Sequence, residues 1–327
     1  MLHSFYKKNK NVKLIDIIDL LNLKLEYENV DIKINDIKDI SSSLEGDITF
    51  FNSIKYKNLL NITKASFCLT TKNFSIFLPK SCKPIIVNNV LIALSKITNL
   101  FYPNSINDNF DNSVSLIDNS NNFNNLSYGK NVLIGNDVKI GDNCLVGHNT
   151  IIESNVIVGN NCSIGSNVII RKSIIGKNVK ILDDSIIGKK GFGFFPNDKN
   201  NIRYPHIGLV IIEDNVEIGC KNVIDRGSMS NTIIGKNTFI DNQVHIAHNV
   251  KIGANCVIAG QVGFAGSSVV GDNVMIGGQA GISGHLKIGN NVKIAGGSGV
   301  INDIPDNAKV MGYPAKDIRK FIKDSKQ

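Results

Sequence analysis

Small and aliphatic residues recur every six positions over most of this chain, and that period constrains the fold more than any other feature. Val132, Val138, Cys144, Thr150, Val156, Cys162 and Val168 lie at intervals of six. Two places further on stand Ile134, Ile140, Val146, Ile152, Val158, Ile164 and Ile170, with glycine following at 135, 141, 147, 159 and 165. The phase slips near Ser173, and a Gly- and Phe-rich stretch intervenes (Lys189 to Gly208). A longer run then resumes through Thr232, Thr238, Val244, Val250, Cys256, Val262, Ser268, Val274, Ala280, Leu286, Val292 and Ser298. Periods this short belong to parallel β-solenoids. Six residues make one short strand and one turn, with alternate residues pointing inward. Three such units close a triangular coil of about 18 residues, stacked about 4.8 Å from the next. Small inward residues suit the narrow interior, while asparagine and glycine supply the positive φ that sharp corners demand. Cys144 and Cys162, 18 apart, should therefore stack in neighbouring coils as core residues rather than reactive thiols. The period leaves handedness open, although parallel crossovers are right-handed as a rule.

Residues 1–106 lack this period. The pattern there predicts an amphipathic helix over Val12 to Leu23, β-like runs at Ala65 to Thr70 and Pro84 to Val90, and a second helix over Val90 to Tyr102. Val114 sits one coil before Val132, so a ragged first coil is expected near 113. Past Pro305 the repeat stops, and GYPA (Gly312 to Ala315) leads into a basic tail, Lys316 to Gln327, that can cover the open sheet edge. The expected organisation is an N-terminal α/β domain over 1–106, a solenoid over 107–304 and a tail over 305–327.

Several classes are disfavoured. Asp16 and Asp19 interrupt LIDIIDLLNL, so no signal peptide is expected, and no run reaches the ~18 apolar residues of a membrane span. Six cysteines without a CxxC pair fit reduced thiols and a cytoplasmic location. The net charge of +8 serves solubility or an acidic partner. No nucleic-acid motif accompanies it, so nucleic acid is not an expected partner.

Among six histidines (3, 148, 206, 245, 248 and 285), spacing singles out His248 in HIAHNV. Gly266 follows by 18 residues, one coil above; His285 follows by 37, two coils and one residue along the same edge. A neutral imidazole can accept a proton from an attacking amine or hydroxyl, and a glycine N–H can approach a developing oxyanion closely. A base, an oxyanion donor and a second imidazole suit acyl transfer. The rival reading joins His245, His248 and His285 on a zinc ion, but a three-residue offset sets His245 and His248 on different parts of the turn, so no metal is expected. The phenylalanines of KKGFGFFPND (Lys189 to Asp198) are expected to contact another subunit or to line a groove for an apolar chain.

These residues resemble a specific family, the UDP-3-O-(3-hydroxyacyl)glucosamine N-acyltransferases of lipid A biosynthesis. The resemblance is carried by ITFF with KY (Ile48 to Tyr56), GFGF, IDRGSM (Ile224 to Met229), TIIG, IDNQVHIAHNVKIG (Ile240 to Gly253) and GISGH (Gly281 to His285). It implies a homotrimeric left-handed parallel β-helix with active sites in grooves between subunits. It also implies transfer of a 3-hydroxyacyl group from acyl carrier protein to the 2-amine of a UDP-linked, 3-O-acylated glucosamine. The acyl group would arrive on the carrier's phosphopantetheine, with no other cofactor. By motif position His248 is similar to the family's general base, Gly266 to its oxyanion amide and His285 to a second active-site histidine, with Asp241 as an orienting acid. Phe50 and Tyr56 match aromatics that hold the uracil ring. Ser53 stands where the family often has asparagine, with Asn52 just before it. The alternative is a related β-helical acyltransferase with another acceptor, such as UDP-N-acetylglucosamine for O-acylation or a different sugar amine.

Overall fold

The structure, a computed structural model, describes residues 5–24, 30–118, 123–195 and 201–326. His3, Pro196 to Asp198 of the aromatic loop, and Gln327 lie outside the described residues. The chain forms two units: 1–108 with 193–207, and 109–192 with 208–327.

The N-terminal unit is built on a three-stranded parallel sheet, Ile48–Phe51, Phe67–Thr70 and Lys83–Ile86 in that order. A helix covers Val90–Phe101; Asn89 Oδ1 starts it by accepting from the Leu91 and Ile92 N–H groups. Its buried residues Val90, Ala93, Leu94, Ile97 and Phe101 recur at helical spacing and face the sheet's core. The first helix, Leu14–Leu20, is shorter than the amphipathic pattern predicts. Asn22 at φ 52° ends it in the left-handed region.

The second unit is a parallel β-solenoid of three sheets with eight, eleven and ten strands, most of them two residues long. The residues of the inward series are buried: Cys144, Val156, Val168, Val250 and Val274 are all at 0% exposure. Cys162 N–H donates to Cys144 Sγ at 3.4 Å, the stacking that the 18-residue spacing anticipates. Corner asparagines such as Asn131, Asn143, Asn155 and Asn167 sit at φ 57 to 65°. Their side chains also stack: Asn125, Asn143, Asn161, Asn178 and Asn215 each pass an amide hydrogen to the next, at 2.9 to 3.3 Å. The asparagine excess thus serves both the corner dihedrals and hydrogen-bond ladders along two of the edges.

The phase slip has a local cause. Ile157 pairs with Ile174, a step of 17 residues, and Lys172 at φ 48° takes the tightened corner. Both ends differ from the simple repeat. Ser115–Leu116 runs antiparallel to Leu133–Ile134, so the first parallel rung is Ser127–Tyr128 against Leu145–Val146. At the other end Lys309–Met311 still adds in parallel to Lys293–Ile294, past Pro305. Lys316–Asp317 then pairs antiparallel with it and covers the last edge, ahead of a short helix, Ile318–Asp324.

Candidate active site

One outward column of the ten-stranded sheet changes character along its length. Successive rungs carry Leu133, Ile151, Ile169, Ile186, Val223, His245, Gly263, Gly281 and Gly299. Above His245 the missing side chains open a groove of about 530 Å³, with Phe192, His245 and His248 at one end and Ile301 and Tyr313 at the other. A Cβ on Gly263 or Gly281 would meet nothing within 4 Å, whereas one on Gly299 would run into the Tyr313 ring. The groove spans three rungs above His245, roughly 14 Å at the usual strand spacing. Its floor is backbone with Phe264, Ile282 and Val300 behind it, a surface suited to an apolar chain.

His248 sits at the corner that follows this sheet. Its Nδ1 lies 2.9 Å from Asn249 Oδ1. Asn249 is oriented without ambiguity. Its Oδ1 accepts from the Ser228 N–H (3.0 Å) and Oγ (2.7 Å), and its Nδ2 donates to Ser230 O (3.1 Å) and Oγ (2.6 Å). Its own backbone N–H donates to Thr232 Oγ1 at 2.9 Å. Because Oδ1 can only accept, His248 Nδ1 must carry the hydrogen, and the lone pair of the neutral ring is on Nε2. Gly266 lies directly over this nitrogen: a Cβ there would be 2.7 Å from both Nε2 and Cε1 of His248. Only glycine leaves room for the imidazole.

The hydrogen bonding of the Gly266 N–H also matters. At several other corners the equivalent N–H is capped by a side chain one coil away. Ser154 Oγ takes Asn136 N–H (3.1 Å), Ser166 Oγ takes His148 N–H (3.2 Å), and Asp272 Oδ1 takes Ala254 N–H (2.7 Å). Above Gly266 stands Gly284, which has no side chain to offer, and among the described residues no acceptor takes the Gly266 N–H. A backbone donor left open beside a lone-pair nitrogen is an arrangement that can bind a developing oxyanion while the ring takes a proton.

The other sequence candidates fall in different places. His285 occupies a left-handed corner (φ 59°), is exposed, and donates its N–H to Gly266 O at 3.1 Å; its side chain is outside the groove lining. Asp241 lies at the opposite corner of the same sheet, exposed, with its carboxylate accepting from Asn242 Nδ2 at 2.8 Å. Within one subunit the two corners are separated by the strand His245–Ile246, so Asp241 does not orient His248 directly. The residue that does is Asn249. His245 lines the groove, with Nε2 3.9 Å from the buried Asp225 carboxylate, and burial lowers its pKa. Among the described residues no three His, Cys, Asp or Glu side chains converge to hold a metal ion, His245, His248 and His285 included.

In the N-terminal unit Phe50 is half-buried on the strand Ile48–Phe51. Ser53 precedes the 3₁₀ turn Ile54–Asn61 and accepts the Tyr56 N–H on its carbonyl at 3.1 Å, while its hydroxyl makes no cap bond. Tyr56, like Phe74 and Phe77, packs against a buried cluster that includes Phe51 and Leu60. Lys57 Nζ stands 4.4 Å from the Phe77 ring centroid, a cation–π contact.

Sequence reasoning passed over Asn249, Ser228 and Ser230. Asn249 looks like one more corner asparagine of the repeat, and the serines lie in a run, IDRGSMSN, that interrupts it. That interruption was the available signal: the solenoid is irregular where it must supply Ser228 and Ser230 to an asparagine one coil on.

Comparison with known proteins bears on the family. A family model described as UDP-3-O-(3-hydroxymyristoyl) glucosamine N-acyltransferase matches residues 31–100. Models of the bacterial transferase hexapeptide match 137–172 and 231–266, and a model of the hexapeptide repeat of succinyl-transferase matches 269–300. A UDP-3-O-acylglucosamine N-acyltransferase of Rickettsia prowazekii is 40% identical over 254 residues, 76% of this chain and 73% of that protein. One from Agrobacterium fabrum is 51% identical over 149 residues, 46% of this chain and 42% of its own. Among solved structures, the UDP-N-acetylglucosamine acyltransferase of Francisella novicida aligns with a TM-score of 0.53 at 24% identity, covering 61% of this chain and 73% of that one. The corresponding structure from Campylobacter jejuni gives 0.52 at 24% identity, covering 58% and 73%. At that identity the structural likeness establishes the fold alone.

Proposed function

This chain belongs to the family of UDP-3-O-acylglucosamine N-acyltransferases and is an acyltransferase; from that premise we propose that it moves a 3-hydroxyacyl group from an acyl carrier protein thioester to the 2-amine of a UDP-3-O-acylglucosamine, with His248 as general base. The observation that carries this reading is the corner at the foot of the groove: an imidazole with its lone pair on Nε2, held by Asn249, under an open Gly266 N–H.

The reaction follows from those groups. The acceptor nitrogen attacks the thioester carbonyl carbon while His248 Nε2 takes its proton. The carbonyl oxygen, now anionic, is met by the Gly266 N–H, a fixed donor with no competing protein acceptor among the described residues. Collapse of the tetrahedral adduct breaks the C–S bond, and the imidazolium returns its proton to the departing thiolate. The new amide and the free thiol account for every atom. A thioester is already activated, and the acyl tail has the glycine-floored groove to occupy, with Tyr313 across its far end.

Phe50, Tyr56 and Ser53 are the residues proposed to meet the uracil ring, two by stacking and one by its hydroxyl. A homotrimer is supported by an exposed apolar column on the eleven-stranded sheet, Phe239, Val257 and Met275 at 50, 47 and 47% exposure, which a solvated face would not favour. In such an assembly His285 and Asp241 are available to a neighbouring subunit's groove. No helix among the described residues is long and apolar enough to cross a membrane, and the proposed location is the cytoplasm, where acyl carrier protein resides. An acidic carrier suits the positive charge of the chain.

The test is acyl transfer by wild type and His248→Ala, with UDP-3-O-acylglucosamine and UDP-N-acetylglucosamine as rival acceptors. Loss of the base should lower kcat by roughly 10²–10⁴-fold. Near-normal turnover by His248→Ala sinks the general-base assignment, and preference for UDP-N-acetylglucosamine sinks the acceptor.

A further inference from the structure

Of the nine outward residues in the column Leu133 to Gly299, eight are aliphatic or glycine, and the exception is His245. It marks the rung where the aliphatic part of the column gives way to the open groove. It lies on the same coil as His248, three residues earlier, and both imidazoles line the same cavity. Behind it is the Asp225 carboxylate, 4% exposed, at 3.9 Å from Nε2. Asp225 comes from the rung below, where the pairing of Ile186–Lys190 with Val223–Arg226 breaks register between Ile187 and Lys189. That irregularity accompanies a buried acid next to the column, on the rung just below His245. Its neighbour Arg226 is turned away, donating to Gly188 O at 3.1 Å.

We propose that His245, braced by Asp225, is the residue that recognises the 3-hydroxyl of the incoming acyl group. This rests on the acyl-transfer reading above. With the carbonyl carbon at the His248–Gly266 corner and the tail on the glycines, the first carbons of the chain must cross from corner to sheet face. The hydroxyl, two carbons from the carbonyl, is carried past the one polar side chain in that column. A carboxylate facing Nε2 favours the tautomer with hydrogen on that nitrogen, which leaves Nδ1 to accept from a hydroxyl. Burial favours the neutral ring that this requires. Gly263, one rung above, leaves the approach open, since even a methyl there would touch nothing within 4 Å. An unsubstituted acyl chain would leave the imidazole desolvated against a methylene, and that mismatch is the basis of discrimination.

The experiment compares 3-hydroxytetradecanoyl and tetradecanoyl groups, each on acyl carrier protein, by kcat/KM with one acceptor. Wild type should prefer the hydroxyacyl donor by about tenfold to a hundredfold. His245→Ala should erase most of that ratio, with the loss falling on the hydroxyacyl donor. His245→Gln keeps a hydrogen-bonding group and should retain part of it, and Asp225→Asn should fall between. Thermal melting of each variant identifies any that do not fold, and His245→Gln is the variant that keeps the comparison open if His245→Ala does not. Equal losses on both donors, or an unchanged ratio in both His245 variants, overturn the assignment while leaving acyl transfer intact. Wild type that transfers neither group overturns the parent reading instead.

Discussion

Gly266→Ala isolates the contact on which the proposed chemistry depends. The added methyl would lie 2.7 Å from Nε2 and Cε1 of His248. Carbon atoms in contact sit about 3.5 Å apart, so the ring or the coil has to give by roughly 0.8 Å. Asn249 cannot follow the ring, because Ser228, Ser230 and Thr232 hold its amide and backbone. A retreat of that size strains or breaks the 2.9 Å bond from Nδ1. It also moves Nε2 away from the point where the amine must be met. Displacements of about 1 Å cost on the order of 10² in rate, and that is the expected fall in kcat. The backbone N–H remains in place, so the oxyanion donor is not itself removed and KM should change little. Gly278→Ala is the control: its methyl would meet Gly260 O at 3.2 Å and Ala259 Cβ at 4.0 Å, at the opposite corner of the sheet from His248. Steady-state acyl transfer, with thermal melting to verify folding, gives the answer. A folded Gly266→Ala enzyme with kcat within about threefold of wild type would refute the argument that the site needs this close approach.

Further outcomes follow from the same geometry. Asn249→Leu should lower kcat tenfold or more by releasing the imidazole. Asn249→Asp should keep more activity but move the acidic limb of the kcat/KM profile to higher pH, since a carboxylate favours the protonated imidazole; an unmoved limb refutes the contact. Gly281→Met should leave the melting temperature nearly unchanged, because its Cβ meets open space, yet shift donor preference to shorter acyl chains in a chain-length series. Asp111 contributes to the first coil through its charge. Burial pushes its pKa up, but hydrogen bonds from Ser154 and Ser113 outweigh that and hold it at about 2. Its folded value is below the ordinary carboxylate range, so its stabilisation is present above that range and is lost as pH falls towards 2. Melting of wild type and Asp111→Asn should therefore converge between about pH 5 and pH 2; a constant gap refutes the linkage.

Much of this was legible in the residues because a solenoid converts sequence spacing into spatial spacing. Eighteen residues are one coil, so the stacking of Gly266 over His248 follows from subtraction, as does the burial of Cys144 against Cys162. The rule fails where the coil is interrupted. Ser228 and Ser230 reach Asn249 from 21 and 19 residues away, off the regular step, because the segment between strands bulges there. Asp241 is seven residues from His248 in the chain, but within one subunit a corner and a strand intervene, because closeness in sequence within a triangular coil is not closeness in space.

By itself the sequence determined the solenoid, the inward column and the stacking of Gly266 over His248, because strand period and coil closure are local and repeat. Tertiary structure alone decided the surroundings of that histidine. The tautomer depends on which atom of Asn249 faces it, and the open Gly266 N–H depends on the absence of a side chain one coil above. The groove depends on three glycines on successive rungs, with Tyr313 folded back from the end of the chain. These are properties of neighbours brought together by stacking, and a one-dimensional pattern carries the stacking period but not the hydrogen bonds across it.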